Sequence, residues 1–183
     1  MRSKTAVQGM APRRIVLIGP MASGKTSIGR HLAVLMGWRF IDTDHAIEQC
    51  AGVDISTIFA LEGEAGFRRR EHAQLKALAD QTEIVMATGG GAVLMPENHP
   101  LLLRESHIVL TIVSRSRQLE RARKLKNRPL LHAGDPEKVL QEIWNQRHSL
   151  YYSLAQTTLD TTLGSPKELA LRLHSRLTHC IVP

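Results

Sequence analysis

Gly19-Pro20-Met21-Ala22-Ser23-Gly24-Lys25-Thr26 fits the spacing G-x-x-x-x-G-K-[ST], whose chemistry is the cradling of a phosphate chain. Backbone N–H groups of such a loop converge on anionic oxygens, and the start of the following helix adds a positive end. Lys25 is expected to reach the β- and γ-phosphates and Thr26 to ligate Mg²⁺. Ala22, Ser23, Gly24 and Ser27 complete the expected nucleotide contacts. A second group is Asp42-Thr43-Asp44, two carboxylates one residue apart. Near Mg·ATP one aspartate can hold metal-bound water and another can orient an acceptor hydroxyl. Taken alone, Asp44 also reads as a helix N-cap. A third group is Thr88-Gly89-Gly90-Gly91, where missing Cβ atoms would let a small ligand lie against bare backbone.

These groups need a scaffold that brings them to one edge. Arg14–Ile18 reads as a buried strand leading into the phosphate loop, and Ile28, Leu32, Leu35 and Met36 recur at helical spacing up to Gly37. Arg39–Ile41 is a short strand ending at Asp42, with a helix from about His45 through Cys50. Residues 54–80 read as helix broken at Gly63, with Phe67, Leu75 and Leu78 as its buried stripe. Ile84–Ala87 and His107–Val113 read as further strands, 115–126 as helix, Pro136–Leu154 as a longer helix and Thr157–Asp160 as a fifth strand. Ser165-Pro166-Lys167-Glu168 is a capping box opening a last helix with Leu169, Leu173 and Leu177 inward. Strands alternating with helices predict an α/β three-layer sandwich around a parallel sheet. Ligands in such sheets sit at the carboxyl ends of the strands, where all three groups fall.

Composition narrows the classes. With 183 residues, 43% of them hydrophobic, the chain suits one domain with a real core, and seven aromatic residues make that core mostly aliphatic. Cys50 and Cys180 form no paired motif, so a reduced, cytoplasmic setting is expected. No apolar run approaches a membrane span, and residues 1–12 read as a flexible N-terminal extension before a single domain over 13–183. The net charge of +7 suggests nucleic acid at first. Between Arg115 and Arg128, however, seven basic residues face one acid, so +6 of the +7 sits in one short segment. A lid over phosphates needs such a segment; a solvated basic helix face is the alternative for Arg115, Arg117, Lys124 and Lys126. No aromatic residues interleave for base stacking, which disfavours nucleic acid.

Read together, Gly-Pro-Met-x-x-Gly-Lys-Thr, Phe40-Ile41-Asp42-Thr43-Asp44, Ile58-Phe59-x-x-x-Gly63-Glu64-x-x-Phe67-Arg68-x-x-Glu71, Gly89-Gly90-Gly91, Arg128-Pro129-Leu130-Leu131 and Arg147-x-x-x-Tyr151 occur in order. The chain resembles the shikimate kinase family over roughly residues 13 to 177. The resemblance implies a nucleoside-monophosphate-kinase-like fold with a five-stranded parallel sheet, a mobile lid at about 115–131 and a substrate-binding helical segment. It implies transfer of the γ-phosphoryl group of ATP, with Mg²⁺, to the 3-hydroxyl of shikimate, by a protein expected to be monomeric. By position it makes Lys25, Asp44 and Arg128 catalytic and gives Asp42 a role in holding Mg²⁺ through water. Arg68 and Arg147 would hold the substrate carboxylate, Gly89, Gly90 and Gly91 would contact substrate, and Arg121 would stack near adenine.

Physical chemistry agrees, since a small organic acid suits planar bidentate guanidinium groups. Taken alone, Arg68 and Arg147 read as surface residues. Ala22 stands where many family members have glycine, and Gly164 offers no side chain in the stretch expected to border adenine. A gluconate-type kinase of the same fold, and a nucleotide-binding protein without transferase activity, are the alternatives.

Overall fold

The computed structural model describes residues 12–123 and 135–179. Five parallel strands, β1 (Arg14–Ile18), β2 (Arg39–Asp42), β3 (Ile84–Ala87), β4 (Ser106–Ile112) and β5 (Thr157–Asp160), form one sheet in the order β2-β3-β1-β4-β5. Alternate residues of β1 explain the layering. Val16 and Ile18 face one side, against Leu75 and Leu78 of α3 (Ile55–Leu78), Leu102 of α4 (Asn98–Leu103) and Leu154 of α6 (Pro136–Leu154). Ile15 and Leu17 face the other, against Ile28 and Leu32 of α1 (Lys25–Met36) and Leu169, Leu173 and Leu177 of α7 (Pro166–His179). Period-two side chains in a strand buried on both faces require apolar residues at every position. The three-layer sandwich is the one expected, and Phe67, Leu75 and Leu78 are buried on α3 as their spacing predicts.

Local signals bound or break several helices. Gly37 closes α1 in the left-handed conformation, its N–H donating to Ala33 and Val34 carbonyls. At Gly63 the backbone leaves helical geometry (φ 67°, ψ −176°), which kinks α3 where a break was expected. The capping box of α7 is made in both directions, Ser165 N to Glu168 Oε2 at 2.9 Å and Glu168 N to Ser165 Oγ at 3.3 Å. At the opposite end of the sheet, buried Arg14 donates to the carbonyls of Leu78, Leu101 and Arg104, tying the ends of α3 and α4 to β1.

Element bounds differ from the sequence expectation by one or two residues in places, and one helix is added. α2 spans Thr43–Ala51, starting two residues before His45, because Asp42 caps it: Oδ1 accepts from Asp44 N at 3.1 Å and His45 N at 3.4 Å. Asp44 is therefore a first-turn residue, not the cap. β4 lies one residue earlier than expected. The six-residue helix α4 was not foreseen, since Asn98-His99-Pro100 carries no helical periodicity. Its position is set tertiarily, by Asn98 Nδ2 donating to the Ala92 carbonyl (2.9 Å) and His72 Nδ1 meeting Asn98 Oδ1 (2.8 Å). Of the expected lid, residues 115–122 form the helix α5, tied to the phosphate loop by Gln118 Nε2 donating to the Met21 carbonyl at 3.0 Å. Residues 124–131, with Arg128, Pro129, Leu130 and Leu131, lie outside the described residues. So does the N-terminal extension up to residue 11.

Candidate active site

The carboxyl edge of the sheet carries two adjoining clefts. One is lined by Ala22, Gly24, Lys25, Thr26, Ser27, Asp42 and Arg121. The other is lined by Arg68, Glu71, Gly89, Gly91 and Arg147, with Ile55, Phe59 and Phe67 as an apolar wall. Met21, Asp44 and Gly90 line both. Residues from the end of β2, from the loops after β1 and β3, and from α1, α2, α3, α5 and α6 thus meet at one place, as the strand-end rule requires.

The first cleft is built for an anion. α1 begins at Lys25 after Gly24, which supplies no side-chain cap, and its first turn carries no acidic residue. Its leading N–H groups have no intrahelical acceptor, and they belong to residues that line the cleft. Lys25 is 9% exposed, and its Nζ donates to the Gly19 carbonyl at 2.8 Å and the Pro20 carbonyl at 2.7 Å. Thr26 Oγ1 donates to Asp42 Oδ2 at 2.7 Å. Because Oδ1 of Asp42 is spent on capping α2, the carboxylate is oriented with Oδ2 toward the phosphate loop. A hydroxyl and a carboxylate, both hard oxygen donors, suit a magnesium ion that shares its remaining positions with phosphates and water.

Arg121 lines this cleft and links the phosphate loop to the stretch after β5, Nη1 reaching the Ala22 carbonyl (3.5 Å) and Thr161 Oγ1 (3.1 Å) and Nη2 the Thr161 carbonyl (3.0 Å). Ser23 can meet a nucleotide only through its backbone. Its side chain is fully buried and pairs with Thr111 Oγ1 at 2.6 Å instead of facing the cleft. Ala22 has a positive φ of 60°, a conformation that costs an L-residue about 1–2 kcal/mol and suits glycine.

The second cleft is walled by opposite charges. Arg68 Nη1 pairs with Glu71 Oε2 at 2.7 Å and Nη2 with Glu64 Oε1 at 3.0 Å. Glu71 is fully buried, and burial holds its carboxyl above the usual range, with Arg68 opposing and Asp44 adding to the rise. Its Oε1 is buried and accepts no hydrogen bond among the described residues. The glycine triplet explains how these groups fit. A Cβ on Gly89 would lie 2.6 Å from Asp44 Oδ1 and 2.7 Å from Glu71 Oε1, and one on Gly91 would overlap the Arg68 guanidinium. At 89 and 91, then, a side chain would collide with the protein's own charged groups, so bare backbone lines the second cleft at all three glycines, and Gly90 lines the first as well.

Arg147 is 6% exposed, against the surface position its type suggests in isolation. Its Nε is buried and makes no hydrogen bond among the described residues. One turn later Tyr151 donates its hydroxyl to the Gly90 carbonyl, and burial raises that phenol to about 12. α6 thus anchors the glycine triplet and presents Arg147 to the same pocket.

The structure brings together Lys25, Thr26, Asp42, Asp44, Arg68, the three glycines, Arg121 and Arg147. Sequence reasoning gave Glu71 and Tyr151 no role beyond their places in the motifs and did not single out Thr111. Glu71 had a signal, since it follows Arg68 at i+3, the spacing of helical ion pairs. Thr111 had none.

Comparison with known proteins follows the same lines. The family model described as shikimate kinase matches residues 21–178. A shikimate kinase of Halorhodospira halophila is 46% identical over 162 residues, covering 88% of this chain and 92% of that one. The solved structure of an Acinetobacter baumannii shikimate kinase in complex with shikimate superposes with a TM-score of 0.90 at 38% identity, covering 93% of this chain and 96% of that one. A gluconokinase from Sinorhizobium meliloti, at 18% identity and TM-score 0.60 over 93% of this chain and 94% of its own, shares the fold alone. A match spanning both clefts, at such identity over nearly whole chains, leaves one conclusion: the chain belongs to the shikimate kinase family.

Proposed function

We propose that this protein transfers the γ-phosphoryl group of ATP to the 3-hydroxyl of shikimate, giving shikimate 3-phosphate and ADP on the route to chorismate and the aromatic amino acids. The observation that carries this reading is the junction at Asp44, where an anion-binding cleft and an arginine-lined cleft meet. ATP phosphates lie along the phosphate loop, with Lys25 exchanging loop carbonyls for phosphate oxygens. Arg68 and Arg147 hold the shikimate carboxylate through charge-assisted hydrogen bonds, and the apolar wall of Ile55, Phe59 and Phe67 takes the ring. The bound acid then has its hydroxyls at Asp44 and Gly90.

Asp44 accepts the proton of the 3-hydroxyl as that oxygen bonds to the γ-phosphorus, and the bond from phosphorus to the β–γ bridging oxygen breaks. ADP leaves with the electron pair. Little covalent chemistry is required of the protein, so positioning and charge neutralisation by Lys25 and Arg128 supply most of the acceleration. Thr26 and Asp42 would hold Mg²⁺, which supplies neutralisation of phosphate charge when bound with ATP. Arg121 contacts the nucleotide beside the adenine, and residues 115–131 serve as the lid. Cys50 and Cys180 form no paired-cysteine sequence motif and, among the described residues, no helix is long and apolar enough to cross a membrane; we place the enzyme in the cytoplasm, as a monomer that binds no nucleic acid.

The test is a coupled ADP-release assay with shikimate, gluconate and no acceptor. Release dependent on shikimate supports the reading. Release driven by gluconate, or independent of acceptor, replaces it with the sugar-acid kinase or the nucleotide-binding alternative.

A further inference from the structure

Thr111 ends the buried part of β4, outside both clefts, yet it touches the phosphate loop at two points. Its side chain is fully buried, as is that of Ser23. Thr111 Oγ1 donates to the Ile18 carbonyl at 3.1 Å, the last residue before the loop. A hydroxyl has one proton. Thr111 must therefore accept in its 2.6 Å contact with Ser23, and Ser23 must donate. The polarity of the chain follows: the Ser23 proton is held away from Lys25, and the Ser23 lone pair is left for the Lys25 ammonium, which approaches it at 3.5 Å. The second contact is at the loop's other end. A Cβ on Gly19 would lie 2.8 Å from Thr111 Oγ1 and overlap the Thr111 carbonyl, so Thr111 also packs against the residue whose carbonyl receives Lys25 Nζ at 2.8 Å.

We propose that Thr111 is a positioning residue for phosphoryl transfer: its hydroxyl braces the phosphate loop between Ile18 and Ser23 and thereby sets Lys25. The proposal rests on the reading of Lys25 as the phosphate contact. A valine has the shape of threonine but no hydroxyl. In Thr111→Val the buried Ser23 hydroxyl loses its acceptor and turns to another one, and the loop carbonyls that Lys25 uses shift with it. A serine at the same place keeps the bond.

The experiment measures steady-state kinetics and thermal midpoints of the full chain for Thr111→Val, Thr111→Ser, Ser23→Ala and the Thr111→Val/Ser23→Ala double variant. For Thr111→Val the expected loss is about tenfold in kcat/KM for ATP, the size of one buried hydrogen bond felt in the transition state, with KM for shikimate unchanged. Thr111→Ser should stay within about twofold of the parent, and the double variant should lose less than the product of the two single losses, because both singles remove the Ser23–Thr111 bond while only Thr111→Val also removes the bond to Ile18. A parental Thr111→Val, a Thr111→Ser as impaired as Thr111→Val, or additive losses would overturn the brace. So would a lowered thermal midpoint with equal losses toward both substrates, the signature of a merely structural threonine. Lys25→Met run alongside separates the two levels. If it stays active, the nucleotide-site reading falls with the proposal; if it is dead while Thr111→Val is parental, the brace alone falls.

Discussion

Arg147→Ala is the sharpest probe of the acceptor site. Arg147 is 6% exposed, and its Nε is buried with no hydrogen bond among the described residues. Arg68, by contrast, already holds Glu71 and Glu64. A bound carboxylate therefore completes Arg147 more than it completes Arg68. Removing one member of a desolvated charge pair costs about 2–5 kcal/mol, which at about 1.4 kcal/mol per decade is roughly 30-fold or more in affinity. Arg147→Ala should raise KM for shikimate at least about 30-fold while leaving KM for ATP nearly constant. Arg68→Ala should raise the same constant by a smaller factor, because Arg68 is already paired. Arg70→Ala should not move it, because Arg70 pairs across the α3 kink with Glu62, away from the pocket lining. The assay is acceptor titration at saturating Mg·ATP for the three variants, beside the uncharged carboxamide analogue of shikimate on the parent. Equal use of acid and carboxamide would show that no carboxylate clamp exists, and an Arg147→Ala effect confined to ATP would place that residue in the wrong cleft.

Arg68→Ala should also be unstable in a pH-dependent way. Burial raises the folded-state affinity of Glu71 for its proton, and loss of Arg68 raises it further, so the folded state holds more protons than the unfolded one above the unfolded carboxylate pKa. Stability then falls as pH rises, and the thermal midpoint of Arg68→Ala relative to the parent should drop more at pH 8 than at pH 5; Glu71→Gln in the same background should flatten that difference. Ala22→Gly should relieve the left-handed strain at φ 60°. The gain is partly offset by the freer unfolded chain, leaving about 0.5–1 kcal/mol of added stability in a denaturant titration; a destabilised variant would mean that the Ala22 methyl packs better than its backbone suffers. Gly91→Ala should displace the Arg68 guanidinium and raise KM for shikimate without changing nucleotide affinity measured by calorimetry; an unchanged KM would separate Arg68 from substrate binding.

Much of this protein is local chemistry and is legible in one dimension. The phosphate loop, the break at Gly63, the stop at Gly37 and the capping box at Ser165 each depend on residues within a few positions of one another. Their signals survive without any knowledge of the fold. The alternation of apolar strands with amphipathic helices likewise determines the layered sandwich, because every residue of β1 is buried on one face or the other. Lys25, Thr26, Asp42 and Asp44 follow from the motif and from the rule that ligands sit at strand ends.

What the tertiary structure alone decided is which charges are buried, and against what. Arg68 and Arg70 sit two residues apart in a run of three arginines, yet only Arg68 lines the pocket, because the helix turns it toward Glu71 and the space left by Gly91. Arg147 looks like a surface residue until α6 packs on the sheet and Tyr151 reaches the Gly90 carbonyl. Ser23 and Thr111 are 88 positions apart and share one hydrogen bond. Burial and pairing of this kind are sums over distant segments, and no local pattern encodes them. Asp42 shows both levels in one side chain: its place at the end of a strand is written in the sequence, while the fold gives one oxygen to the helix cap and the other to Thr26.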